Sequence, residues 1–192
     1  MRFHYQIILN YLKPSIYVRS FKEVNITSLR DQGIKLLICD LDNTLVPHYT
    51  RFPNKDVLNF VKSLKKHNIE IAVVSNNLKS RVKTFCEKAN IEVYRGNAKK
   101  PFKKAVMQVM SHFKVSSSEV IFMGDQIIMD ILVANRIGCE SILVQPLIST
   151  DYNMSKINIF LETQIYNKLE KNNILKKGNY TDKSIHSSFE LL

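Results

Sequence analysis

The chain has 192 residues, of which 45% are hydrophobic and 23% charged, enough to bury one core with a short extension but not two full domains. Cys39, Cys86 and Cys139 are its three cysteines; they are too few for a disulfide framework and no pair has metal-site spacing, so they predict reduced core thiols in a cytosolic protein. The net charge of +11 and pI near 9.6 favour an anionic partner such as a lipid headgroup surface, nucleic acid or a phosphorylated substrate, although lysine runs more often form a solvated face.

The apolar stretch FHYQIILNYLK (residues 3 to 13) is broken by Gln6, Asn10 and Lys13. It lacks a small-residue cleavage site, which predicts neither secretion nor a membrane span. Residues 1–32 read as an N-terminal extension packing on the core. From Gly33 onward, short apolar runs alternate with helix-periodic segments: KLLIC (35 to 39), EIAVV (70 to 74), IEVY (91 to 94), VIFM (120 to 123) and SILV (141 to 144). Apolar without clean alternation, these runs fit strands covered on both faces.

Between them, Val57, Val61 and Leu64 predict a helix starting after Pro53-Asn54, and Leu78, Val82, Phe85 and Ala89 a second. A third carries Phe102, Ala105, Val106, Val109 and Phe113, with Pro101 placed in its first turn. A fourth, from Asp130 to Ile137, stops at Gly138 as a left-handed cap. Ile157, Leu161, Ile165 and Leu169 predict one more helix on the core. Residues 172–192 read as a disordered polar tail. The repeated strand-then-helix order predicts an α/β domain over residues 33–171, a parallel five-stranded sheet with helices on both faces.

In such a sheet, ligands collect beyond the carboxyl ends of the strands. Asp40 and Asp42 follow the first predicted strand; Asp125 and Asp130 follow the fourth. Four carboxylates on one edge repel unless a cation joins them, and hard oxygen ligands suit Mg²⁺. Ser75, after the second strand, could hold a phosphoryl oxygen, and Lys100 could neutralise both Asp40 and a bound phosphate. Singly, each has a plainer explanation: Ser75 as a helix cap, Lys100 as one solvated lysine beside Lys99, Lys103 and Lys104, and the Asp-Asn-Thr and Gly-Asp stretches as turns. Their order at successive strand ends lifts them above it.

On DLDNTL (40 to 45), Ser75, Lys100 and GDQIIMD (124 to 130), the sequence resembles the haloacid dehalogenase superfamily of phosphatases. With GIKLLICDLDNTLV, VVSNN, AKKP and NRIG it is more closely similar to the YqeG family, related to the mitochondrial phosphatidylglycerophosphate phosphatases. Met129 stands where that family is expected to carry threonine. The resemblance implies a Rossmann-like hydrolase fold and a Mg²⁺-dependent reaction through an aspartyl-phosphate. Asp40 would be the nucleophile and Asp42 the acid and base. Mg²⁺ would sit on Asp40, Asp42 (through its carbonyl), Asp125 and Asp130, while Ser75, Asn76 and Lys100 would hold the phosphate.

Enzymes of this kind take selectivity from cap insertions, and here only VPHYTRFPN follows DLDNTL while 25 positions separate Ser75 from Lys100. No cap domain fits, which implies an open site for a large substrate. The related enzymes point to phosphatidylglycerophosphate, met at the inner face of a membrane by a peripheral protein with no transmembrane segment. Phe3, Tyr5, Ile7, Ile8, Leu9, Tyr11 and Leu12 could then lie on the bilayer, or simply pack on the sheet. Two other classes stay open: a phosphatase of nucleic-acid ends, its lysines tracking a backbone without an aromatic platform, and a non-catalytic or partner-dependent interaction module on the same fold.

Overall fold

The computed structural model describes residues 9–148 and 156–181. Its strands are β1 (Ile16–Val18), β2 (Leu36–Cys39), β3 (Glu70–Val74), β4 (Val93–Arg95), β5 (Val120–Gly124) and β6 (Glu140–Val144). The helices are α1 (Ile26–Asp31), α2 (Lys55–Lys66), α3 (Lys79–Ala89), α4 (Lys104–Phe113), α5 (Leu132–Ile137) and α6 (Lys156–Lys171), with a π-helical turn at Ile127–Ile131 leading into α5. All strands pair in parallel in the order β1-β6-β5-β2-β3-β4.

The expected five-stranded sheet therefore has six strands. The missed one, β1, is only three residues long, too short for any periodicity to register. It joins the sheet from the segment read as an extension, pairing with β6 in the register Tyr17↔Leu143. Its outer side is met by the chain's far end: Thr181 N–H donates to the Tyr17 carbonyl at 2.8 Å, and the Tyr17 N–H donates to Thr181 Oγ1 at 2.7 Å. An open edge strand is a template for unwanted pairing, so this clasp is protective. Residues 172–181, expected in the polar tail, thus pack against the sheet, because Leu175 and Tyr180 give an otherwise polar stretch apolar side chains to dock beside Tyr17 and Leu169. Residues 182–192 lie outside the described residues, as do Phe3, Tyr5, Ile7 and Ile8. Of their neighbours, Leu9 and Leu12 are buried and Tyr11 is exposed.

The buried strands send alternate residues to two cores. Leu37 and Cys39 face α1, α2 and α3, including Phe60 and Phe85. Leu36 and Ile38 face α4 and α5. Helix α2 opens where Pro53-Asn54 predicts, the Asn54 side chain accepting from Val57 N. Gly138 ends α5 at φ 82° as expected.

Two expectations are corrected. Pro101 is not in the first turn of α4, which begins at Lys104; the Asn76 amide grips both the N–H and the carbonyl of Lys100 and holds that segment in a loop. In α6, Ile157 and Leu161 are exposed while Glu162 and Leu169 are buried. Four-residue spacing turns about 40° per step around a helix, so the stripe drifts, and only its later members, Ile165 and Leu169, pack on the core.

The chain runs from β2 out to β3 and β4, then returns to β5 on the other side of β2. The direction of winding reverses between β2 and β5, which opens a crevice at their carboxyl ends.

Candidate active site

Register places the carboxylates in that crevice. Cys39 pairs with Met123, and Asp40 N–H extends the ladder to the Met123 carbonyl at 2.9 Å, so Asp40 leaves β2 beside Gly124 and Asp125 leaving β5. Asp130 returns on the π-helical turn, where its Oδ2 accepts from Gln126 N at 3.0 Å. This packing needs a glycine: a Cβ on Gly124 would lie 2.2 Å from Asp130 Cγ.

Ligand atoms of Asp40, Asp125 and Asp130 lie within 4.8 Å of one another, and all three residues are buried. The cation answering them is Lys100, its side chain 2% exposed, with Nζ 2.6 Å from Asp130 Oδ1 and 2.8 Å from Asp40 Oδ1. The contact to Asp40 is an ion pair without hydrogen-bond directionality, so Oδ1 keeps unspent acceptor capacity. Burial pushes Asp40 up to about 6, with Lys100 pulling back and Asp130 adding repulsion. Burial likewise raises Asp125 well above the usual carboxylate range, Asp130 and Asp40 adding to it and the Thr44 hydroxyl, 3.0 Å away, opposing. For Lys100, burial works against the charge, but Asp130 and Asp40 outweigh it and hold the ammonium above the usual lysine range. One lysine against three buried carboxylates leaves negative charge uncompensated. That excess, the oxygen-only donors and the undirected Asp40 oxygen fit a hard divalent cation.

The Asp42 carboxylate stands apart from this cluster. It accepts from Asn77 Nδ2 at 2.8 Å and Arg81 Nε at 3.1 Å, with Arg81 Nη2 also in contact. A pocket of about 440 Å³ joins Asp40 and Asp42 to Ser75, Asn76 and Lys100, with Gln126, Met129 and Asn158 also on its wall. Ser75, buried, accepts from Asn77 N through its hydroxyl. Asn76 lines the pocket while its amide grips Lys100. Asn76 Nδ2 also donates to Met129 Sδ at 3.8 Å. Among the described residues no cap domain is inserted: residues 40–54 lead directly into α2, and α3 alone links β3 to β4.

The site thus brings Asp40, Asp42, Ser75, Asn76, Lys100, Asp125 and Asp130 together. Sequence reasoning missed Arg81 and Asn77, which aim Asp42, and Thr44, which donates to Asp125. It also missed Glu162. This carboxylate of α6, 9% exposed, accepts from Ile128 N at 2.8 Å and Ile127 N at 3.3 Å, the first residues of the turn that carries Asp130. Burial raises its pKa to about 7, the two N–H donors pulling back. Truncating Glu162 to alanine should cost about 2 kcal/mol, since two inward N–H groups lose their acceptor. Hydrogen exchange at Ile127 and Ile128 should quicken relative to the central strands; unchanged rates there would mean the carboxylate does not hold the turn.

A Bacillus subtilis protein named "Probable phosphatase YqeG" is 30% identical over 86% of this chain and 95% of its own length. The Arabidopsis thaliana phosphatidylglycerophosphate phosphatase 1, chloroplastic/mitochondrial, is 30% identical over 71% of this chain and 42% of its own length. Among solved structures, the cobalt-bound deoxy-D-mannose-octulosonate 8-phosphate phosphatase of Haemophilus influenzae aligns over 76% of this chain and 95% of that one, at 16% identity and TM-score 0.47. The protein is a hydrolase, a phosphatase. A family model described as mitochondrial PGP phosphatase matches residues 6–149, and the chain belongs to that family.

Proposed function

We propose that the protein is a Mg²⁺-dependent phosphomonoesterase that works through an aspartyl-phosphate and acts on phosphatidylglycerophosphate or another large phosphorylated substrate at the inner face of a membrane. The observation that carries this reading is Asp40. Its buried carboxylate faces the pocket with acceptor capacity left over, beside a fixed cation and across from Asp42.

Asp40 attacks phosphorus in line while the bond from phosphorus to the alcohol oxygen breaks. Asp42 gives the departing oxygen its proton, then takes one from the water that cleaves the acyl phosphate and frees Asp40. Arg81 and Asn77 set the direction from which Asp42 works. Ser75, Asn76 and Lys100 line the place where the phosphoryl oxygens lie. Asp40, the Asp42 carbonyl, Asp125 and Asp130 would hold Mg²⁺, which supplies positive charge against the phosphoryl group in the transition state. The lipid substrate is supported by the name of the Arabidopsis relative and by the short connections from β2 to α2 and from β3 to β4, which insert no cap there to enclose a small substrate. Among the described residues no helix is long and apolar enough to cross a membrane.

The test is phosphate release, with and without Mg²⁺, from phosphatidylglycerophosphate in vesicles, sugar phosphates, nucleotides and oligonucleotides carrying terminal phosphates. Release from the lipid should be Mg²⁺-dependent and should exceed the rest. A preference for oligonucleotide ends would move the substrate to nucleic acid, and no release from any member would sink the catalytic reading.

A further inference from the structure

The large apolar side chains left exposed on the described residues gather at the edge of the sheet that holds the pocket. Tyr49 is 72% exposed and Phe52 50%, both on the loop after β2. Leu78 follows β3 at 64% and Phe102 follows β4 at 66%. Leu147 lies beyond β6, and α6 opens with Ile157, Ile159, Phe160 and Leu161, all exposed. Only Tyr11, Leu58 and Met107 fall outside these segments.

Each of these segments adjoins the site. Tyr49 follows His48, Leu78 follows Asn77, Phe102 stands two residues after Lys100, and Ile157 and Ile159 flank Asn158; all four neighbours line the pocket. The Leu147 N–H donates to the carbonyl of Asn43, within the turn after Asp42. Isolated exposed hydrophobics need no explanation, but a set of them around one opening does.

Charge says what covers them. Residues 47–55, 76–80, 99–104, 145–148 and 157–161 contain no aspartate or glutamate. The same segments set an exposed cation next to an exposed apolar group three times: Arg51 beside Phe52, with its guanidinium 5.5 Å from the ring centroid, Lys79 beside Leu78, and Lys103 beside Phe102. A protein partner's apolar face would leave those cations without counter-charges, and a nucleic acid would leave the aliphatic groups in water. An anionic bilayer satisfies both, taking apolar groups into its interfacial layer and lysines and arginines among its headgroups.

We propose that the rim of the pocket is a membrane-docking surface, on which Phe52, Leu78 and Phe102 insert into an anionic bilayer with Arg51, Lys79 and Lys103 at headgroup level. The reaction then proceeds with the mouth facing the lipid. This rests on the phosphatase reading only for its purpose, since docking itself is measurable without turnover.

The experiment floats the protein with vesicles of mixed phosphatidylglycerol and phosphatidylcholine, and with phosphatidylcholine alone, at low and high salt. The wild type should float with the anionic vesicles and lose binding as salt rises. The triple variant F52S/L78S/F102S should bind about a hundredfold more weakly, and Lys79→Glu with Lys103→Glu about tenfold or more. Met107→Ser, an equally exposed residue outside these segments, should bind like the wild type. None of these residues lines the pocket, so hydrolysis of a soluble phosphomonoester should stay at the wild-type rate while hydrolysis of vesicle-borne substrate falls in the triple variant. Wild-type binding by the triple variant, no flotation at low salt, or binding displaced by an oligonucleotide would overturn the docking surface. Rim-dependent flotation with no hydrolysis of any phosphomonoester would uphold the surface and discard the phosphatase reading.

Discussion

Replacing Asp40 with asparagine should lower phosphate release at least about a thousandfold, because an amide of the same shape cannot attack phosphorus. The fold should persist. Asp40 is one of three clustered buried carboxylates, pushed up by burial and by Asp130, so neutralising it relieves repulsion. Lys100 loses one partner but keeps Asp130 at 2.6 Å. These two changes oppose each other, and denaturant unfolding should place the variant within about 1 kcal/mol of the wild type. Acid-quenched wild type incubated with labelled substrate should carry protein-bound phosphate, and the variant should carry none. Turnover near the wild-type rate in a folded Asp40→Asn protein would remove the covalent mechanism.

The second large effect is on stability. Lys100→Met keeps most of the volume and removes the cation, leaving Asp40 and Asp130 facing each other in a buried site. Breaking a buried pair in this way costs about 3–5 kcal/mol. The raised pKa of Lys100 fixes the pH behaviour. The lysine's contribution is fully present below the ordinary lysine pKa and is lost only as pH climbs through the higher folded value. At neutral pH the variant therefore shows the whole deficit, and acid reduces it by protonating Asp40, whose pKa burial already raises. The variant's cluster is also more negative, so Mg²⁺ should raise its melting temperature more than it raises that of the wild type. Thermal unfolding across pH, with and without Mg²⁺, checks both points. A variant as stable as the wild type and indifferent to Mg²⁺ would mean that Lys100 does not balance the cluster.

Much of this site is legible in the sequence because a parallel sheet converts chain order into place. Every strand ends at the same edge, so Asp40, Ser75, Asp125 and the loop with Lys100 meet there once the strands are recognised. The strands themselves are buried on both faces and stand out as apolar runs, as β3 shows over Glu70–Val74. What is not legible depends on contacts rather than pattern. Arg81 sits on α3 among other charged residues, and only packing brings it to Asp42. Glu162 interrupts the buried face of α6 with a charge, which reads as surface until the Ile127 and Ile128 N–H groups are seen to need an acceptor. β1 is recognisable only through its partners, β6 on one side and Thr181 on the other.

That last contact has a consequence for how the molecule is made. Tyr17 is synthesised well before the group that closes its free side, Thr181, which is 164 positions later. A nascent chain emerging from the ribosome cannot complete this edge until 164 further residues have been added. Contacts of such sequence separation slow folding, since the intervening loop must close before they form. Closure of the sheet thus waits for Thr181, and until it occurs β1 presents an unpaired strand edge to other chains.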